Sequence, residues 1–349
     1  MSVTSLEQLE KRLRLTKEEL SWKEGPLSVP LCITEHYLGL INPNDPADPL
    51  RRQVVPTCHE NMSDDSESPD PLEEVCHSHG ERLIHRYRSR VAFLATDICP
   101  MYCRHCFRRR FTGNMMGQAS ESDILNAASY LSKNPKITEM LLTGGDPLIL
   151  SDDELDHMIG LFRKASPHLI IRICTRYPVS APERITEGLV AVFKRHTSAP
   201  FYLMTQFNHP RELTPESIRA VSLFVDAGIP AMNQSVLLKG VNDDADTLEE
   251  LCNGLLFNRI KPYYLFQGDM VSGTSYFRVS LKKGMEIEQE LRRRLSGLAM
   301  PVYTADLPDG GGKVPLCGSY IVKSPDKEKG SWLFRTPDGE TRVITDPQS

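Results

Sequence analysis

The sequence predicts an α/β fold whose parallel strands form either an open doubly wound sheet or a barrel. The first observation is that short β-prone runs alternate with longer helical runs six times in the middle of the chain, as in parallel strands joined by crossover helices. The second is a composition of 40% hydrophobic and 25% charged residues, which is typical of a globular protein. The third is the length of 349 residues, which suits one barrel with extensions or two domains of roughly 150 residues.

The alternation predicts six strands, each followed by a helix. The predicted strands are 91–96, 139–143, 169–174, 201–205, 233–238 and 263–267. The predicted helices are 121–132, 152–164, 182–195, 215–227, 245–258 and 281–296. We expect the chemistry at the carboxyl ends of the strands, where α/β folds place their sites.

The segments on either side of this repeat have other patterns. Leucines spaced among charges predict a short amphipathic helix within 5–22, and the acidic residues of 64–74 predict a solvated surface loop. β-prone runs between turn signals in 319–345 predict a small β extension. We therefore expect three parts: a helical and loop extension at 1–80, the repeat at 81–323 and a β extension at 324–349.

Charge and hydropathy exclude several classes of protein. A net charge of −5 provides no basic surface for nucleic acid. No apolar run is long enough to cross a membrane, and the first residues lack a signal peptide's apolar centre. Nine cysteines, an odd number, indicate a reducing compartment rather than a disulfide framework. We expect a cytoplasmic protein without a membrane or nucleic-acid partner.

Three cysteines follow the first predicted strand with the spacing C-x3-C-x2-C: Cys99, Cys103 and Cys106. Clustered thiolates select zinc or iron–sulfur. Zinc sites usually add a second pair of ligands, and none is visible here. Three thiolates on a four-iron cluster would leave one iron open to a small molecule. A zinc site and reduced structural thiols remain the alternatives.

Two glycine-rich segments are further candidates. LLTGGDPL (141–148) follows the second predicted strand, although a Gly-Gly-Asp-Pro turn also opens ordinary loops. In DGGGK (309–313) the spacing of a phosphate-binding P-loop is absent. Lys313 is then either the exposed end of a surface turn or a Schiff-base lysine on a flexible tether.

The cysteine spacing and the Gly-Gly-Asp segment resemble the radical S-adenosylmethionine (SAM) superfamily. The motifs HRYRSR (85–90), CRHCFRRRF (103–111), TQFNHP (205–210), NQSVLLKGVND (233–243), YYLFQGD (263–269) and D-x-P-x-GGGK (306–313) make residues 40–323 similar to the lysine 2,3-aminomutase family. This resemblance implies a partial (β/α)6 barrel with a 4Fe–4S cluster, SAM and pyridoxal phosphate. It also implies an isomerase that interconverts L-lysine and β-lysine, and an electron donor such as flavodoxin or ferredoxin.

The resemblance carries the family's site residues over to matching positions in this chain. It assigns Cys99, Cys103 and Cys106 to the cluster; Gly144, Gly145, Asp146, His105 and Gln234 to SAM; Lys313, Arg86, Tyr87 and Arg90 to pyridoxal phosphate; Arg108 to the substrate carboxylate; and Asp269 and Asp306 to the distal ammonium of lysine. Two carboxylates at the far end of a pocket select a cationic side chain.

Departures from the family pattern leave some properties open. Asp309 stands where a glycine is usual, and Phe266 where a tyrosine is usual. No cysteine follows Cys317, and Asp244 stands where a cysteine from a partner subunit would be. We therefore expect a homo-oligomer, if one forms, to lack the zinc site of larger family members.

Three alternative functions remain. One is an aminomutase for another basic amino acid such as arginine. The second is an enzyme that makes β-lysine for translation elongation factor P. The third, from a different class, is a non-catalytic iron–sulfur regulatory protein, although such a protein needs no Schiff-base lysine.

Overall fold

The computed structural model describes residues 2–26, 28–62, 65–114, 116–308, 311–323 and 331–345. The residues Asp64, Asp309 and Gly310 of the sequence analysis lie outside this part. The strands are β1 (Ser2–Val3), β2 (Ile33–Thr34), β3 (Leu83–Tyr87), β4 (Arg90–Thr96), β5 (Glu139–Gly144), β6 (Ile170–Cys174), β7 (Phe201–Thr205), β8 (Ala231–Leu237), β9 (Ile260–Gln267), β10 (Val302–Leu307), β11 (Gly312–Pro315), β12 (Ile321–Lys323), β13 (Ser331–Arg335) and β14 (Thr341–Thr345). The helices are α1 (Leu6–Glu10), α2 (Lys17–Leu20), α3 (Glu35–Leu38), α4 (Pro49–Val54), α5 (Glu121–Lys133), α6 (Asp152–Ala165), α7 (Tyr177–Ser180), α8 (Glu187–Lys194), α9 (Pro215–Asp226), α10 (Ala245–Phe257) and α11 (Leu281–Arg294).

One nine-stranded sheet, in the order β3 to β11, organises the chain. Strands β4 to β10 are parallel to their neighbours, while β3 and β11 are antiparallel edges. Side chains from opposite ends of the sheet come close to each other: Arg86 Nη1 on the edge strand β3 lies 3.8 Å from Asp306 Oδ1 on β10, the strand beside the other edge. The predicted partial barrel is therefore confirmed, and the open doubly wound sheet is wrong.

The two faces of the sheet have different environments. Phe93 and Leu142 face outward and are fully buried in the main hydrophobic core. There the ring of Phe93 packs edge-on against Phe162 of α6, with 5.0 Å between ring centroids. Leu141 and Thr143, which alternate with the outward residues on β5, line the interior cavity instead. The sheet therefore buries one apolar face under its helices and turns a face of mixed polar and apolar side chains toward the cavity.

Capping side chains begin the crossover helices where the sequence predicts them. Ser120 and Ser151 start α5 and α6 with capping boxes. The predicted helix 182–195 is shorter than expected, because Thr186 caps a new start at Glu187 after the 3-10 turn Pro182–Arg184. The amphipathic helix expected within 5–22 is two short helices, because Thr16 forms a capping box that starts α2.

Two acidic residues of the segment before the barrel, Glu67 and Glu74, are internal counter-charges, so the predicted solvated face is wrong for these two, whereas Asp65 is exposed as predicted. The Glu67 carboxylate is fully buried and forms an ion pair with Arg278 at 2.8 Å. Glu74 is buried and forms an ion pair with Arg108 at 2.6 Å. Buried guanidinium groups require nearby anions, and the sequence pattern does not indicate which segment supplies them.

The carboxyl end of the barrel contains a hairpin that the periodicity does not predict. Strand β10 adds a further parallel strand, and β11 pairs back on it with Asp306 opposite Lys313. Beyond it, β12 to β14 form a separate three-stranded antiparallel sheet, which agrees with the predicted β extension. Within the described residues, no helix is both long and apolar enough to cross a membrane.

Candidate active site

A cavity of about 360 Å³ occupies the barrel interior, within the usual range of small-molecule sites. Every predicted site residue lines it. These residues are Arg86, Tyr87, Arg90, Cys99, Cys103, His105, Cys106, Arg108, Gly144, Gly145, Asp146, Gln234, Asp269, Asp306 and Lys313. The cysteine loop and the glycine-tethered lysine, more than 200 positions apart in sequence, therefore face the same space.

The three cysteines of the loop after β4 are free thiols. Burial is the main cause that raises the pKa of Cys99 well above its ordinary value and also raises the pKa of Cys106. Their position on the cavity wall argues against structural thiols of the core. Within the described ranges, no three His, Cys, Asp or Glu side chains are arranged around a single metal ion. A four-iron cluster is larger than one ion and suits three thiols spread over a cavity wall.

The buried carboxylate of Glu60, which the sequence did not indicate, links the cysteine loop to the N-terminal segment. Glu60 Oε1 accepts a hydrogen bond from Arg104 Nε at 2.7 Å, and Glu60 Oε2 pairs with Arg109 Nη2 at 2.8 Å. Arg104 Nη1 also donates to the Pro30 carbonyl at 2.8 Å. The arginines between and after the cysteines could have indicated such a carboxylate, because buried arginines need nearby anions.

The two glycines after β5 pack against the cysteine loop. A Cβ atom on Gly144, whose φ is +124°, would lie 2.3 Å from the Thr96 carbonyl oxygen. A Cβ atom on Gly145 would lie equally close to the Ile98 carbonyl oxygen, at 2.3 Å. Only glycine permits such an approach. The Gly-Gly pair therefore fixes the backbone beside the cysteines.

The carboxylate of Asp146 is held by protein groups. It accepts hydrogen bonds from Thr175 Oγ1 at 2.8 Å, from the Arg176 N–H at 2.7 Å and from the Leu148 N–H at 3.1 Å. Burial is the largest cause that raises the pKa of Asp146, to about 6. This geometry supports a role in ordering the loop more than direct binding of an ammonium group by the carboxylate.

His105 has one ring nitrogen available for a ligand. Its Nε2 atom lies 3.1 Å from Gln206 Nε2, whereas the buried Nδ1 atom has no protein partner. Burial lowers the pKa of His105 well below its ordinary value, so the ring is neutral near pH 7. Gln234 on β8 lines the same cavity. Both positions are compatible with contacts to a bound SAM.

Lys313 and Asp306 form an ion pair across the β10–β11 hairpin. Lys313 Nζ also lies 5.0 Å from the centre of the Phe266 ring, a distance at which a cation attracts an aromatic face. Burial, followed by the negative charge of Asp306, raises the pKa of Asp269 to about 7. The two carboxylates predicted to bind a distal ammonium thus share one electrostatic environment.

Unpartnered donors near Lys313 fit an anionic cofactor. Arg86 Nε, Arg86 Nη2 and the Tyr87 hydroxyl are buried without a protein partner, and such groups are costly unless a ligand completes them. The Arg90 guanidinium lies 4.0 Å from the Tyr87 ring centre. These side chains fit the phosphate of pyridoxal phosphate.

Arg108 is already paired with an acidic residue. Glu74 accepts from its Nη2 at 2.6 Å and from its Nε at 3.0 Å, and Thr143 accepts from its Nη1 at 3.3 Å. Arg108 can therefore bind a substrate carboxylate only by sharing its donors with Glu74 or by exchanging partners.

Comparisons with known proteins agree with this site. Residues 93–252 match the model of the Radical SAM superfamily. L-lysine 2,3-aminomutase from Clostridium subterminale is 44% identical over 99% of this chain and 82% of its own length. The corresponding enzyme from Fusobacterium nucleatum subsp. nucleatum is 40% identical over 99% and 80%, and glutamate 2,3-aminomutase from Clostridioides difficile is 38% identical over 99% and 80%. The chain belongs to the lysine 2,3-aminomutase family of the radical SAM superfamily.

Proposed function

We propose that the protein is an isomerase that moves the amino group of L-lysine from C2 to C3 and so forms β-lysine. The observation that carries this proposal is the convergence of three free thiols, Lys313 and two carboxylates on one cavity. Cys99, Cys103 and Cys106 would hold an iron–sulfur cluster with SAM, and Lys313 would hold pyridoxal phosphate; when bound, these groups would supply the radical chemistry and the electron delocalisation that the nitrogen shift needs. As an isomerisation, the reaction has no net gain or loss of atoms.

Each part of the cavity has a task in this scheme. The three cysteines hold the cluster, while Arg86, Tyr87 and Arg90 bind the coenzyme phosphate beside Lys313. The curled sheet surrounds the reacting atoms and excludes water, which protects a reactive radical from side reactions. His105 and Gln234, which line the same cavity, would contact and orient a bound SAM.

The distal end of the cavity favours a cationic substrate. The charges of Asp269 and Asp306 attract an ammonium or guanidinium group and repel the second carboxylate of glutamate. Lys313 holds Asp306 in this structure, so a substrate cation must displace Lys313 from that ion pair. Lysine and arginine satisfy the charge rule, and glutamate does not.

An anaerobic assay tests the proposal. The protein is reconstituted with iron, sulfide and pyridoxal phosphate, reduced, and incubated with SAM and either lysine, arginine or glutamate, and the 3-amino isomers are separated by chromatography. We expect β-lysine, with a rate at least about 100-fold lower in Asp269→Asn because a buried charged contact is lost. The exposed variant Asp226→Asn is the control. Turnover of only arginine or glutamate would contradict the assignment to lysine.

We also infer that the protein works in the reducing cytoplasm with flavodoxin or ferredoxin as electron donor. The support is nine cysteines that are all free thiols within the described residues, together with a cluster that must be reduced. The Asp244 carboxylate caps α10 by accepting from the Thr247 N–H at 2.8 Å, so this position has a structural role in the chain itself. The three-part division predicted at residues 80 and 323 is part of this proposal, with the second boundary placed before β12 because β12 pairs with β13.

A further inference from the structure

One of the three cluster cysteines has an environment that the other two lack. Cys103 Sγ accepts a hydrogen bond from Arg176 Nη1 at 2.7 Å. Within the described residues, Cys106 Sγ donates to the Thr112 hydroxyl at 3.9 Å, and Cys99 Sγ has no hydrogen-bond partner. A charged donor therefore contacts one particular sulfur.

The position of Arg176 is fixed by a buried polar network. Its side chain is 8% exposed, and that of Glu212 is fully buried. Arg176 Nη2 donates to Glu212 Oε1 at 2.7 Å and to Gln53 Oε1 at 2.6 Å. Glu212 Oε1 also accepts from the Tyr37 hydroxyl at 2.7 Å. These contacts leave the Nη1 end of the guanidinium pointing at the sulfur.

A purely structural role explains the Nη2 contacts but not the Nη1 contact. The Arg176–Glu212 pair ties the loop after β6 to the loop after β7, and Gln53 connects both to the N-terminal extension. A neutral thiol is a weak acceptor, whereas the thiolate of a metal-bound cysteine is a strong partner for a charged donor. The arrangement is therefore most favourable when Cys103 is a thiolate ligand.

We propose that Arg176 is a positioning residue that orients the Cys103 ligand and raises the reduction potential of the cluster. A hydrogen bond to a ligating sulfur withdraws electron density from the cluster. The reduced cluster carries one more negative charge than the oxidised cluster, so a neighbouring guanidinium stabilises the reduced form more. Arg176 thus assists the electron transfer that precedes SAM cleavage. This inference rests on the cluster assignment of the proposed function.

The test is the midpoint potential of the reconstituted cluster, measured by EPR-monitored titration without SAM, pyridoxal phosphate or lysine. We expect a lower potential in Arg176→Met and a change in the Fe–S(Cys) stretching bands of the resonance Raman spectrum. Arg176→Lys, which keeps a charged donor, should recover part of the shift. An unchanged potential and spectrum in a cluster-loaded Arg176→Met protein would overturn the proposal.

A matched control separates this effect from a loss of structure. Arg104→Met also removes a buried, ion-paired arginine from the cysteine region, but no contact of Arg104 with a cysteine sulfur is recorded among the described residues. It should lower stability and shift the potential clearly less than Arg176→Met does, and an equal shift would mean that the Arg176 effect is structural.

If Arg176→Met binds no cluster, the midpoint potential of a second variant tests the proposal. Glu212→Gln removes the counter-charge and keeps the donor, so it should raise the potential, and an unchanged potential would refute the role. Because no lysine is present, failure of the aminomutase assay would leave these results intact.

Discussion

At the scale of single residues, the cavity is governed by how buried charges are paired. Asp306 pairs with Lys313, and Glu74 pairs with Arg108. Each pair joins a residue predicted to bind substrate or coenzyme to a protein partner. Because an unpaired buried charge is strongly unfavourable, ligands must exchange partners with these side chains rather than bind to free ones.

Lys313 can be tested through the spectrum of the bound coenzyme. Lys313→Ala should lose the visible absorption band of lysine-bound pyridoxal phosphate and keep the iron–sulfur absorption, because the coenzyme attachment and the cysteine loop are separate parts of the cavity. Lys283→Ala, which removes an exposed lysine, should keep both bands. Retention of the coenzyme band in the Lys313 variant would show that another lysine carries the coenzyme.

Asp269 should make stability depend on pH. Its pKa in the folded protein is about 7, against an ordinary value of 3.8. The folded protein therefore keeps this proton between about pH 4 and pH 7 while the unfolded chain loses it, and stability falls as the pH rises through that window.

The variant Asp269→Asn removes this dependence. The free energy of unfolding of the variant minus that of the wild type should rise by at most about 4 kcal/mol between pH 4 and pH 7. Above pH 7 this difference should stay level. Denaturant unfolding of the cofactor-free protein across this range measures the difference. A difference that stays constant with pH would mean that the carboxylate is already ionised at pH 4.

At the scale of elements, close approaches between neighbouring segments set which residues are allowed. Gly284 lies in the first turns of α11, where the helix packs on β10. A Cβ atom there would lie 1.9 Å from the Tyr303 hydroxyl, which itself donates to Gln267 Oε1 at 2.5 Å. The helix can therefore pack this closely against β10 only if residue 284 is glycine.

Gly284→Ala should destabilise the protein, against the usual effect of this substitution in a helix. Alanine normally stabilises a helix by about 1 kcal/mol relative to glycine, but overpacking here should cost about 1–3 kcal/mol. Thermal or denaturant unfolding measures the change. The additional substitution Tyr303→Phe should recover part of the loss, and full stability of the single variant would show that the helix shifts freely.

At the scale of the whole molecule, the N-terminal extension and the barrel are joined by buried ion pairs. Glu60 binds Arg104 and Arg109 of the cysteine region, and Glu19 binds Arg51 within the extension. Glu67 reaches Arg278, which follows β9. The extension therefore forms part of the support of the cysteine loop.

Glu60→Gln should weaken this attachment strongly. It leaves two buried guanidinium groups without their shared anion, which should cost about 3–5 kcal/mol. The control Glu35→Gln disrupts an exposed pair with Arg12 and should cost less than about 1 kcal/mol. Unfolding curves give both values, and limited proteolysis should cut residues 1–62 faster in Glu60→Gln. Equal stability of the two variants would contradict this view of the extension.

The sequence by itself determined the alternation of strands and crossover helices, because hydrophobic periodicity and capping residues act over a few neighbouring positions. It also identified the cysteine spacing and the family motifs that carry the candidate site. The tertiary structure alone decided the β10–β11 hairpin and the partners of the buried charges. The contacts of Glu60 with Arg104 and of Arg176 with Cys103 span 44 and 73 positions. Such pairs depend on how distant segments are arranged in three dimensions, so no local pattern in the chain specifies them.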